Sequence, residues 1–320
     1  MYKRPSLAII IVNWNAGQQL RECLESLITA SWDRFELSLV VVVDNASCDG
    51  SVEGLASLGL PIIIIRNTEN RGFAAACNQG ARGSKANYLL FLNPDTRLFE
   101  NSLAKPLSFM ERPNNQHIGI VGIQLVDGNG DVSRTCSRFP TPGQFFSKML
   151  GLDRLFPSFF PSHFMFEWDH ADSRYVEQVM GAFFLVRRSL FETLGGFDER
   201  FFVYFEEVDF SLRSRQAGWN SFYLAEAQAY HKGGGTSEKV KALRLFYSLR
   251  SRILYSYKHF GWVAATGLML GTLFLEPWTR LALGLVRRSG KEIIETLKGY
   301  YMLWVAVPVL LKTAWQRGKA

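Results

Sequence analysis

The sequence predicts an α/β protein built on a mostly parallel, doubly wound sheet with helices on both faces. Three apolar runs, Leu7–Val12, Leu37–Val43 and Tyr88–Leu92, lack the polar alternation of half-exposed strands, so they indicate strands buried on both faces. Helical patterns separate these runs, and strands that alternate with helices form parallel sheets. A chain of 320 residues holds one large domain or two ordinary ones.

The first part of the chain supplies most of this alternation, and its polar and small residues mark the boundaries between elements. The elements expected up to residue 125 are the strand Leu7–Val12, an amphipathic helix with Leu20, Cys23, Leu24 and Leu27 on one face, the strand Leu37–Val43, a short helix, the strand Ile62–Ile65, a helix of small residues over 72–80, and the strands Tyr88–Leu92 and Ile118–Leu125.

The second part is less regular. Asp127–Gly130 has the composition of a hairpin turn, and the aromatic, proline-containing stretch 138–170 shows no periodicity. Strand character resumes at Val176–Val186, and Phe205–Ala217 has a helical pattern that stops at a glycine. We expect Tyr230–Gly235, with its three glycines, to be a loop.

The net charge of +7 is unevenly distributed. From Glu238 to the end there are 14 Lys/Arg and 4 Asp/Glu, a balance of +10, so the rest of the chain carries −3. This basic region is also rich in Leu, Trp, Tyr and Phe, and its long apolar runs favour an anionic membrane surface over nucleic acid. A dimer interface or a second core is the alternative.

Two apolar stretches dominate this region. Trp262–Val286 contains Glu276, Pro277 and Arg280, and its uninterrupted part is shorter than the roughly 20 residues that a spanning helix needs. Tyr300–Leu311 is shorter still. We therefore expect helices that lie in the membrane interface or pack as a hydrophobic platform, with a tilted span by Trp262–Val286 as the alternative.

The four cysteines, Cys23, Cys48, Cys77 and Cys136, show no CxxC spacing, which favours reduced thiols in a cytosol-facing protein. The first apolar run has only six residues, too few for the apolar segment of a signal peptide.

Two carboxylates follow buried strands. Asp44 ends Leu37–Val43, and Asp95 follows Tyr88–Leu92 after Asn93 and a proline that ends the ladder. Taken alone, each is also explained as a turn residue or a helix cap, which is the more common role of a single carboxylate after a strand such as Asp95. Together they lie at the carboxyl ends of parallel strands, where open α/β sheets bind ligands. One carboxylate can accept a hydrogen bond from a base or sugar, and the other can hold a divalent cation.

Three further stretches are candidates. Asn70–Phe73 precedes a helix, whose N-terminus favours a phosphate, or it is simply a tight loop. Glu206, Glu207 and Asp209 open the helix Phe205–Ala217 after an aromatic segment, so they are candidates for a general base, although acids also complement a helix dipole. His231 can complete a metal site among oxygen ligands, though most surface histidines bind nothing.

Taken together, these motifs resemble the family-2 inverting glycosyltransferases with the GT-A fold, in the rhamnosyltransferase-like branch, from about Ser6 to about Lys258. The motifs that carry the resemblance are, in order, Val12–Asn15, Val43–Ser47 with Asp49–Ser51, Asn70–Ala74 with Asn78 and Gly80, Asn93–Asp95, Gly195–Glu199 with Phe201–Arg213, and His231.

The resemblance implies a role for each motif. Asp44 matches the acid that bonds a uracil or thymine base, and Asp95 matches the last acid of a motif that binds Mg²⁺ or Mn²⁺, with Asn93 in the place of its first acid. Glu207 matches the general base, with Glu206 and Asp209 as alternatives, and His231 matches a metal ligand. The donor-binding residues that it implies are Asn13, Asn15, Asp44, Asn45, Arg71, Gly72, Asn78 and Asn93.

The implied catalytic domain covers residues 1–237, with a nucleotide-sugar half up to about 125 and an acceptor half beyond it, and 238–320 form a basic, hydrophobic helical extension that associates with a membrane. The implied reaction is a metal-assisted in-line displacement that transfers rhamnose from dTDP-rhamnose, or a sugar from UDP, to a lipid-linked saccharide in cell-surface polysaccharide synthesis. We expect a peripheral or monotopic enzyme on the cytoplasmic face, either a monomer or a homo-oligomer, with no nucleic-acid partner.

Three other classes share part of this pattern. A sugar nucleotidyltransferase would need a glycine-rich basic loop after Val12, which the sequence lacks. A polyprenyl-phosphate sugar synthase attacks with a phosphate and needs no strong base, so the acid cluster argues against it. A non-catalytic nucleotide-binding module on a membrane would not need Asp95, the acid pair or His231, and all are present.

Overall fold

A computed structural model describes residues 4–233 and 240–315. The chain divides into two compact units. The first, here the sheet unit, comprises Met1–Arg138, Phe164–Glu199 and Glu206–Thr236, and the second, the helical unit, comprises Phe139–His163, Arg200–Phe205 and Ser237–Ala320. The segments 139–163 and 200–205 lie within the range predicted for the catalytic domain, yet they pack in the helical unit.

The sheet unit is organised around one mixed sheet. Its strands are β1 (Ser6–Asn13), β2 (Glu36–Asp44), β3 (Ile62–Arg66), β4 (Tyr88–Leu92), β5 (Thr96–Leu98), β6 (Ile118–Val126), β7 (Arg174–Val176), β8 (Phe183–Arg187) and β9 (Asn220–His231). The order is β3-β2-β1-β4-β8-β6-β9-β5, and β7 pairs with β9. β3, β2, β1 and β4 are parallel, β8 is antiparallel to both neighbours, and β9 is parallel to β6.

Helices cover both faces of this sheet and make up most of the helical unit. They are α1 (Gln18–Thr29), α2 (Phe73–Ala81), α3 (Ala104–Met110), α4 (Pro142–Met149), α5 (Leu152–Leu155), α6 (Arg188–Thr193), α7 (Glu206–Gln216), α8 (Lys241–His259), α9 (Trp262–Leu270), α10 (Glu276–Val286) and α11 (Gly290–Trp315), with 3-10 turns at Leu55–Leu58 and Pro113–Asn115 and a π-helical turn at Gly271–Leu275.

The buried strands create two cores because successive side chains point to opposite faces. From β1, Leu7, Ile9 and Ile11 join a core that includes α1 and α3. Ala8 and Ile10 join a second core, which includes the alanines of α2. The predicted α/β architecture with helices on both faces is therefore confirmed, and the predicted helix face of α1 is the one that is buried.

Gly80 brings α2 close to the sheet. A Cβ at this position would lie 2.7 Å from Ile10 Cγ2 and 3.0 Å from Val43 Cγ2, so no side chain fits without displacing the helix. Close packing of α2 fixes the position of the loop that precedes it, and this loop carries several candidate donor-binding residues.

We expect Gly80→Ala to destabilise the protein by about 1–3 kcal/mol, because overpacking a close-packed contact outweighs the small gain in helix propensity. The shift in the urea midpoint measures the loss. Gly143→Ala in α4 is the matched control, since a Cβ there meets no atom within 4 Å and should leave the midpoint almost unchanged. Equal midpoints for the two variants would contradict the steric argument.

Two sequence predictions in the sheet unit are wrong in part. Val176–Val186 is not one strand but the end of β7 and most of β8, separated by residues 177–182. Tyr230 and His231 are not in a loop, because β9 continues through His231 in register with β5. The last two residues of that predicted loop lie outside the described residues.

The helical unit also differs from prediction. Trp262–Val286 forms α9, the π-helical turn and α10 rather than one helix. Tyr300–Leu311 is part of α11, which has 26 residues because it continues through the charged residues on either side of the apolar stretch. Over Gly290–Ala314, α11 is long and apolar enough to cross a membrane by length and composition, so the prediction from Tyr300–Leu311 underestimated its length.

A buried ion pair joins the helices of this unit. Arg252 of α8 contacts Glu276 of α10 and donates to Thr272 Oγ1 at 2.8 Å, while Arg280 Nε donates to Glu276 Oε1 at 3.0 Å. Burial raises the pKa of Glu276, but the two guanidinium charges outweigh that effect and lower it overall. The carboxylate is therefore ionised and holds α8 and α10 in one arrangement.

Candidate active site

Asn13 and Asp44 lie side by side at the carboxyl ends of β1 and β2 because the parallel register pairs them directly. Asn13 Nδ2 donates to Asp44 Oδ1 at 3.0 Å, and both residues are buried. The same amide reaches Ser47 Oγ at 3.0 Å and Ser51 Oγ at 2.8 Å. Asn13 therefore orients the Asp44 carboxylate and fixes the loop that follows β2.

Asn15 holds the same loop from the other side. Its backbone N–H donates to Ser47 Oγ at 2.9 Å, and its Oδ1 accepts from the Cys48 N–H at 2.9 Å. The positive φ of Asn15, 51°, is a conformation that asparagine adopts more readily than most residues. These contacts, with a third from Cys48 Sγ to Asn15 Oδ1, support the loop, so we infer a positioning role for Asn15.

Asn45 connects the end of β2 to the loop before α2. Its Nδ2 donates to Asn70 Oδ1 at 2.9 Å and to the Gly72 carbonyl at 3.2 Å, and its Oδ1 accepts from the Arg71 N–H and from Asn67 Nδ2, both at 3.1 Å. The Arg71 side chain is exposed and has no ion pair among the described residues. The loop thus presents a guanidinium at this edge of the sheet.

The Asn78 amide makes its hydrogen bonds to a distant segment, residues 197–199. Its Nδ2 donates to the Phe197 carbonyl at 2.8 Å and to Glu199 Oε1 at 3.0 Å, and its Oδ1 accepts from the Phe197 N–H at 2.9 Å. A Cβ on Gly196 would lie 2.5 Å from Asn78 Oδ1, so glycine is required for this approach. Asn78 positions the 195–199 turn. Both hydrogens of its amide are used in these bonds, so neither is free to bind a nucleotide sugar.

Asp95 and His231 are brought together by the pairing of β5 with β9. Thr96 stands opposite His231 in the ladder, and the Lys232 N–H donates to the Asp95 carbonyl at 3.2 Å. His231 Nε2 lies 3.3 Å from Asp95 Oδ1, and both side chains are about nine-tenths buried. The local sequence around Asp95 or His231 does not reveal this contact. It depends on the register between β5 and β9, two strands that are far apart in the sequence.

The turn that carries Asp95 is attached to the loop before β8. The Asn93 N–H donates to the Ala182 carbonyl at 3.0 Å, and the Thr96 N–H donates to the Asn93 carbonyl at 3.1 Å. A Cβ on the neighbouring Gly181 would lie 3.8 Å from Glu207 Cγ. The segment Gly181–Ala182 therefore contacts the Asp95 turn through Ala182 and lies next to Glu207 at Gly181.

The acid pair at the start of α7 is in an unusual environment. Glu206 is buried and Glu207 is half-buried. Burial, and then the charge of Glu207, raise the pKa of Glu206 well above its ordinary value, and burial also raises the pKa of Glu207. A carboxylate with a raised pKa is a better proton acceptor than an ordinary glutamate once it is ionised. Glu207 is the less buried residue of the pair, and Oε2 of each acid is buried with no hydrogen-bond partner among the described residues.

Asp209, the third acid, has a structural partner. It is fully buried, and its Oδ2 accepts from Arg213 Nε at 2.8 Å. Arg213 also donates to the Leu194 and Gly196 carbonyls, each at 2.8 Å. This arrangement supports Asp209 as a residue that positions α7 against the 194–196 turn rather than as the base. Sequence reasoning missed Arg213, although its i, i+4 spacing from Asp209 was a signal.

Two donors at the sheet edge could hold a metal ion. The described residues contain no group of three or more His, Cys, Asp or Glu side chains placed for a metal. Asp95 and His231 offer one carboxylate and one imidazole in contact. Such a set fits Mn²⁺ well and Mg²⁺ adequately, provided that diphosphate oxygens and water supply the other ligands.

Comparison with known proteins defines the class. Residues 8–195 match the family described as Glycosyl transferase family 2. Because this match covers more than half of the 320 residues, the chain belongs to glycosyl transferase family 2, as the sequence motifs predicted. The family and the fold together define a transferase.

One relative and two solved structures extend the comparison. The N-acetylglucosaminyl-diphospho-decaprenol L-rhamnosyltransferase of Mycobacterium tuberculosis is 26% identical over 316 residues, which cover 92% of this chain and 98% of the relative. The mannosyltransferase PcManGT from Pyrobaculum calidifontis, in complex with GDP-Man and Mn²⁺, has a TM-score of 0.54 at 17% identity over 98% of this chain and 88% of that one.

TarS 1–349 of S. aureus, in complex with UDP-GlcNAc, has a TM-score of 0.51 at 15% identity and covers 92% of this chain and 80% of its own. At these identities the two structures show the fold alone. That fold is GT-A, which confirms the predicted architecture.

Proposed function

We propose that this glycosyltransferase is an inverting enzyme that transfers L-rhamnose from dTDP-rhamnose to a hydroxyl of a lipid-linked saccharide. One observation carries the proposal: the short segment Gly181–Ala182 adjoins both Glu207, whose pKa is raised by burial, and the turn that carries Asp95. This proximity supports Glu207 as a proton acceptor near the sheet edge at which nucleotide ligands bind in open α/β proteins.

The donor half of the site begins with Asp44. Its carboxylate, oriented by Asn13, can accept the imide N–H of a thymine or uracil base. The exposed Arg71 guanidinium and the N-terminus of α2 supply positive charge for a diphosphate. Asn78, Asn45 and Asn15 act by holding the loops in place.

In the proposed displacement, Glu207 takes the proton from the acceptor hydroxyl. The hydroxyl oxygen bonds to the anomeric carbon from the side opposite the diphosphate, while the bond from that carbon to the diphosphate oxygen breaks and its electron pair leaves with the diphosphate. The anomeric configuration inverts. Asp95 and His231 would hold a divalent cation, which would offset the charge of the departing diphosphate.

The choice of rhamnose and of a lipid-linked acceptor is supported by the Mycobacterium tuberculosis relative, whose name states both. A panel of nucleotide sugars tests it. We expect turnover, and slow donor hydrolysis without acceptor, to be fastest with dTDP-rhamnose and to require Mn²⁺ or Mg²⁺. Proton NMR of the product should show the inverted anomer. A faster reaction with another donor would contradict the choice of dTDP-rhamnose. Retention of the anomeric configuration would contradict the inverting mechanism.

The helical unit supports a location on the membrane. It contains most of the large hydrophobic side chains that are exposed among the described residues, including Trp262, Trp278 and Tyr301, each more than 70% exposed. The region from Glu238 onward also carries a net charge of +10. Apolar side chains with Trp and Tyr, combined with Lys and Arg, favour binding to the interface of an anionic bilayer.

We expect the protein to float with liposomes, and its bound fraction to rise with anionic lipid and fall with salt, because the basic residues contribute about 1 kcal/mol each near the surface. Trp262→Ser combined with Trp278→Ser should lower the bound fraction. Tyr175→Ser, which removes an aromatic ring 55% exposed in the sheet unit, is the control and should not. A monodisperse protein that ignores all vesicles without detergent would exclude membrane binding.

A further inference from the structure

A cleft of about 600 Å³ lies in the sheet unit between α3 and β9. One wall is a single side of α3 together with Arg112, which lies two residues beyond the end of the helix. Lys105, Ser108 and Phe109 stand at the spacing i, i+3 and i+4, which places them on one helical face. The sequence pattern indicated no function for this face.

The other wall is a part of β9 that lacks a neighbour on one side. β7 pairs with β9 through residues 221–223 and β5 pairs with it through 229–231, and β6 occupies the opposite side. Among the described strands, none pairs with β9 over the gap between β7 and β5, and side chains bond its backbone there instead: Ser173 Oγ accepts from the Ala225 N–H, and Lys105 Nζ donates to the Glu226 carbonyl. Phe222, Leu224 and Glu226, at alternate positions of β9, line the cleft.

The cleft has an apolar floor and a polar rim. The rings of Phe109 and Phe222 stack with centroids 4.5 Å apart at 30°, and Leu224 is buried beside them. Ser108 and Ser173 add hydroxyl groups to the rim. A concave apolar surface of 300–1,000 Å³ with a few converging polar groups is typical of a ligand site.

The charges around the cleft are mainly positive. Arg34, Lys105 and Arg112 line it, with Glu226 as the acidic residue. Arg34 and Arg112 are exposed and make no ion pair with any described residue. Lys105 Nζ donates to the Glu226 backbone carbonyl at 2.6 Å, and the Glu226 carboxylate accepts from Ser173 Oγ. Three cations against one carboxylate give the cleft a positive potential that favours an anion.

This cleft is separate from the candidate active site. His231 ends β9, and Leu224 lies seven residues earlier in the same strand. At about 3.3 Å per residue, with a local irregularity, the two are on the order of 20 Å apart. None of the predicted site residues lines the cleft.

We propose that this cleft binds a phosphate-bearing ligand. The guanidinium groups of Arg34 and Arg112 can each contact a phosphate through two parallel hydrogen bonds, and Lys105 adds a point charge. The Phe109–Phe222 floor accommodates the apolar part of the ligand. The phosphate can belong to a soluble phosphorylated molecule or to a phospholipid headgroup, since both present the same chemistry to the cleft.

Calorimetric titration of the full chain with inorganic pyrophosphate tests the proposal. A chelator in the buffer suppresses any metal-dependent binding at Asp95. We expect saturable binding that Arg34→Gln combined with Arg112→Gln weakens at least about tenfold, as expected for the loss of two charged hydrogen-bonding groups. Glu226→Gln should bind more tightly, because it removes the carboxylate that opposes the anion.

The matched control is Arg82→Gln combined with Lys85→Gln, which removes the same charge from an exposed stretch after α2. α2 packs on the second core, on the opposite face of the sheet from α3. This control should bind pyrophosphate within about twofold of the unchanged protein, because distant exposed charges are screened. Equal weakening by both double variants would show that only net charge matters and would overturn the proposal.

Vesicles distinguish the two sources of phosphate. If the ligand is a phospholipid headgroup, the Arg34→Gln, Arg112→Gln variant should bind less to vesicles containing phosphatidic acid, but equally to pure phosphatidylcholine. If the ligand is soluble, only pyrophosphate binding should weaken. Absence of saturable pyrophosphate binding, or affinity unchanged in that variant, would overturn the proposal. None of these measurements uses transferase activity, so their failure is independent of the proposed reaction.

Discussion

Glu207→Gln is expected to lower kcat at least about 100-fold while donor affinity stays unchanged. Glutamine keeps the size of the side chain but cannot accept the proton of the acceptor hydroxyl, and a lost general base costs about 10²- to 10⁴-fold. Steady-state rates with saturating donor and acceptor measure the change, and calorimetry with the nucleoside diphosphate measures binding. Normal turnover by Glu207→Gln would exclude Glu207 as the base.

Glu206→Gln is the comparison for this variant, because the two acids are neighbours and both have a raised pKa. We expect a milder loss from Glu206→Gln, since Glu206 is the more buried residue of the two. If Glu206→Gln is the more damaging change, the assignment within the pair is reversed.

The same pair predicts the pH dependence. A base must be ionised to act, and burial raises the pKa of Glu207 above that of an ordinary glutamate. Activity should therefore rise with pH through a value higher than about 4.3, the ordinary pKa of glutamate, and fall below it as the carboxyl takes up a proton. Asp209→Asn should change stability more than the midpoint of this profile, because Asp209 is paired with Arg213.

Asp95→Asn is expected to abolish the gain in nucleoside-diphosphate affinity that Mn²⁺ provides. Asparagine keeps the shape of the side chain but removes the anion beside His231, and the sequence has asparagine rather than a second acid at position 93. We expect a loss of at least about 10- to 100-fold, the range typical even for residues that only support a metal ligand. Titration with dTDP, with and without Mn²⁺, measures it.

Asp131→Asn is the control for this titration, since Asp131 is exposed near the turn after β6 and is not a candidate ligand. Its affinity for dTDP and its response to Mn²⁺ should match those of the unchanged protein. If Asp95→Asn retained the full response to Mn²⁺, Asp95 would not belong to the metal site.

Periodicity was sufficient for the elements in the first half of the chain. β1, β2, β3 and β4 begin and end within one residue of the predicted runs, because each is an apolar segment bounded by polar or turn-forming residues. The same rule failed at 176–186, where apolar character continues through a loop that contains Gly181. It failed again at His231, where glycines beyond the strand suggested a loop but pairing with β5 extended β9.

In the candidate site too, the sequence identified some features and only the structure revealed others. Asp44 and Asp95 could be selected from the sequence because each follows a buried strand, and Glu207 because it opens a helix among other acids. The sequence could not show that the Asn78 amide bonds to the turn at Phe197. Nor could it show that Asp209 is paired with Arg213 and so differs from Glu206 and Glu207. These differences depend on contacts between elements and not on residue type.

The sequence by itself therefore determined the class of this protein: the order of strands and helices, the acids at strand ends and the motifs of a glycosyltransferase. These are local properties, since a side chain's periodicity and its distance from a strand end are fixed along the chain. Only the tertiary structure decided that Asp95 contacts His231, that the Gly181–Ala182 segment adjoins both the Asp95 turn and Glu207, and that a cationic cleft opens beside β9. Each of these results from strand register and from packing between distant segments, which local periodicity does not specify.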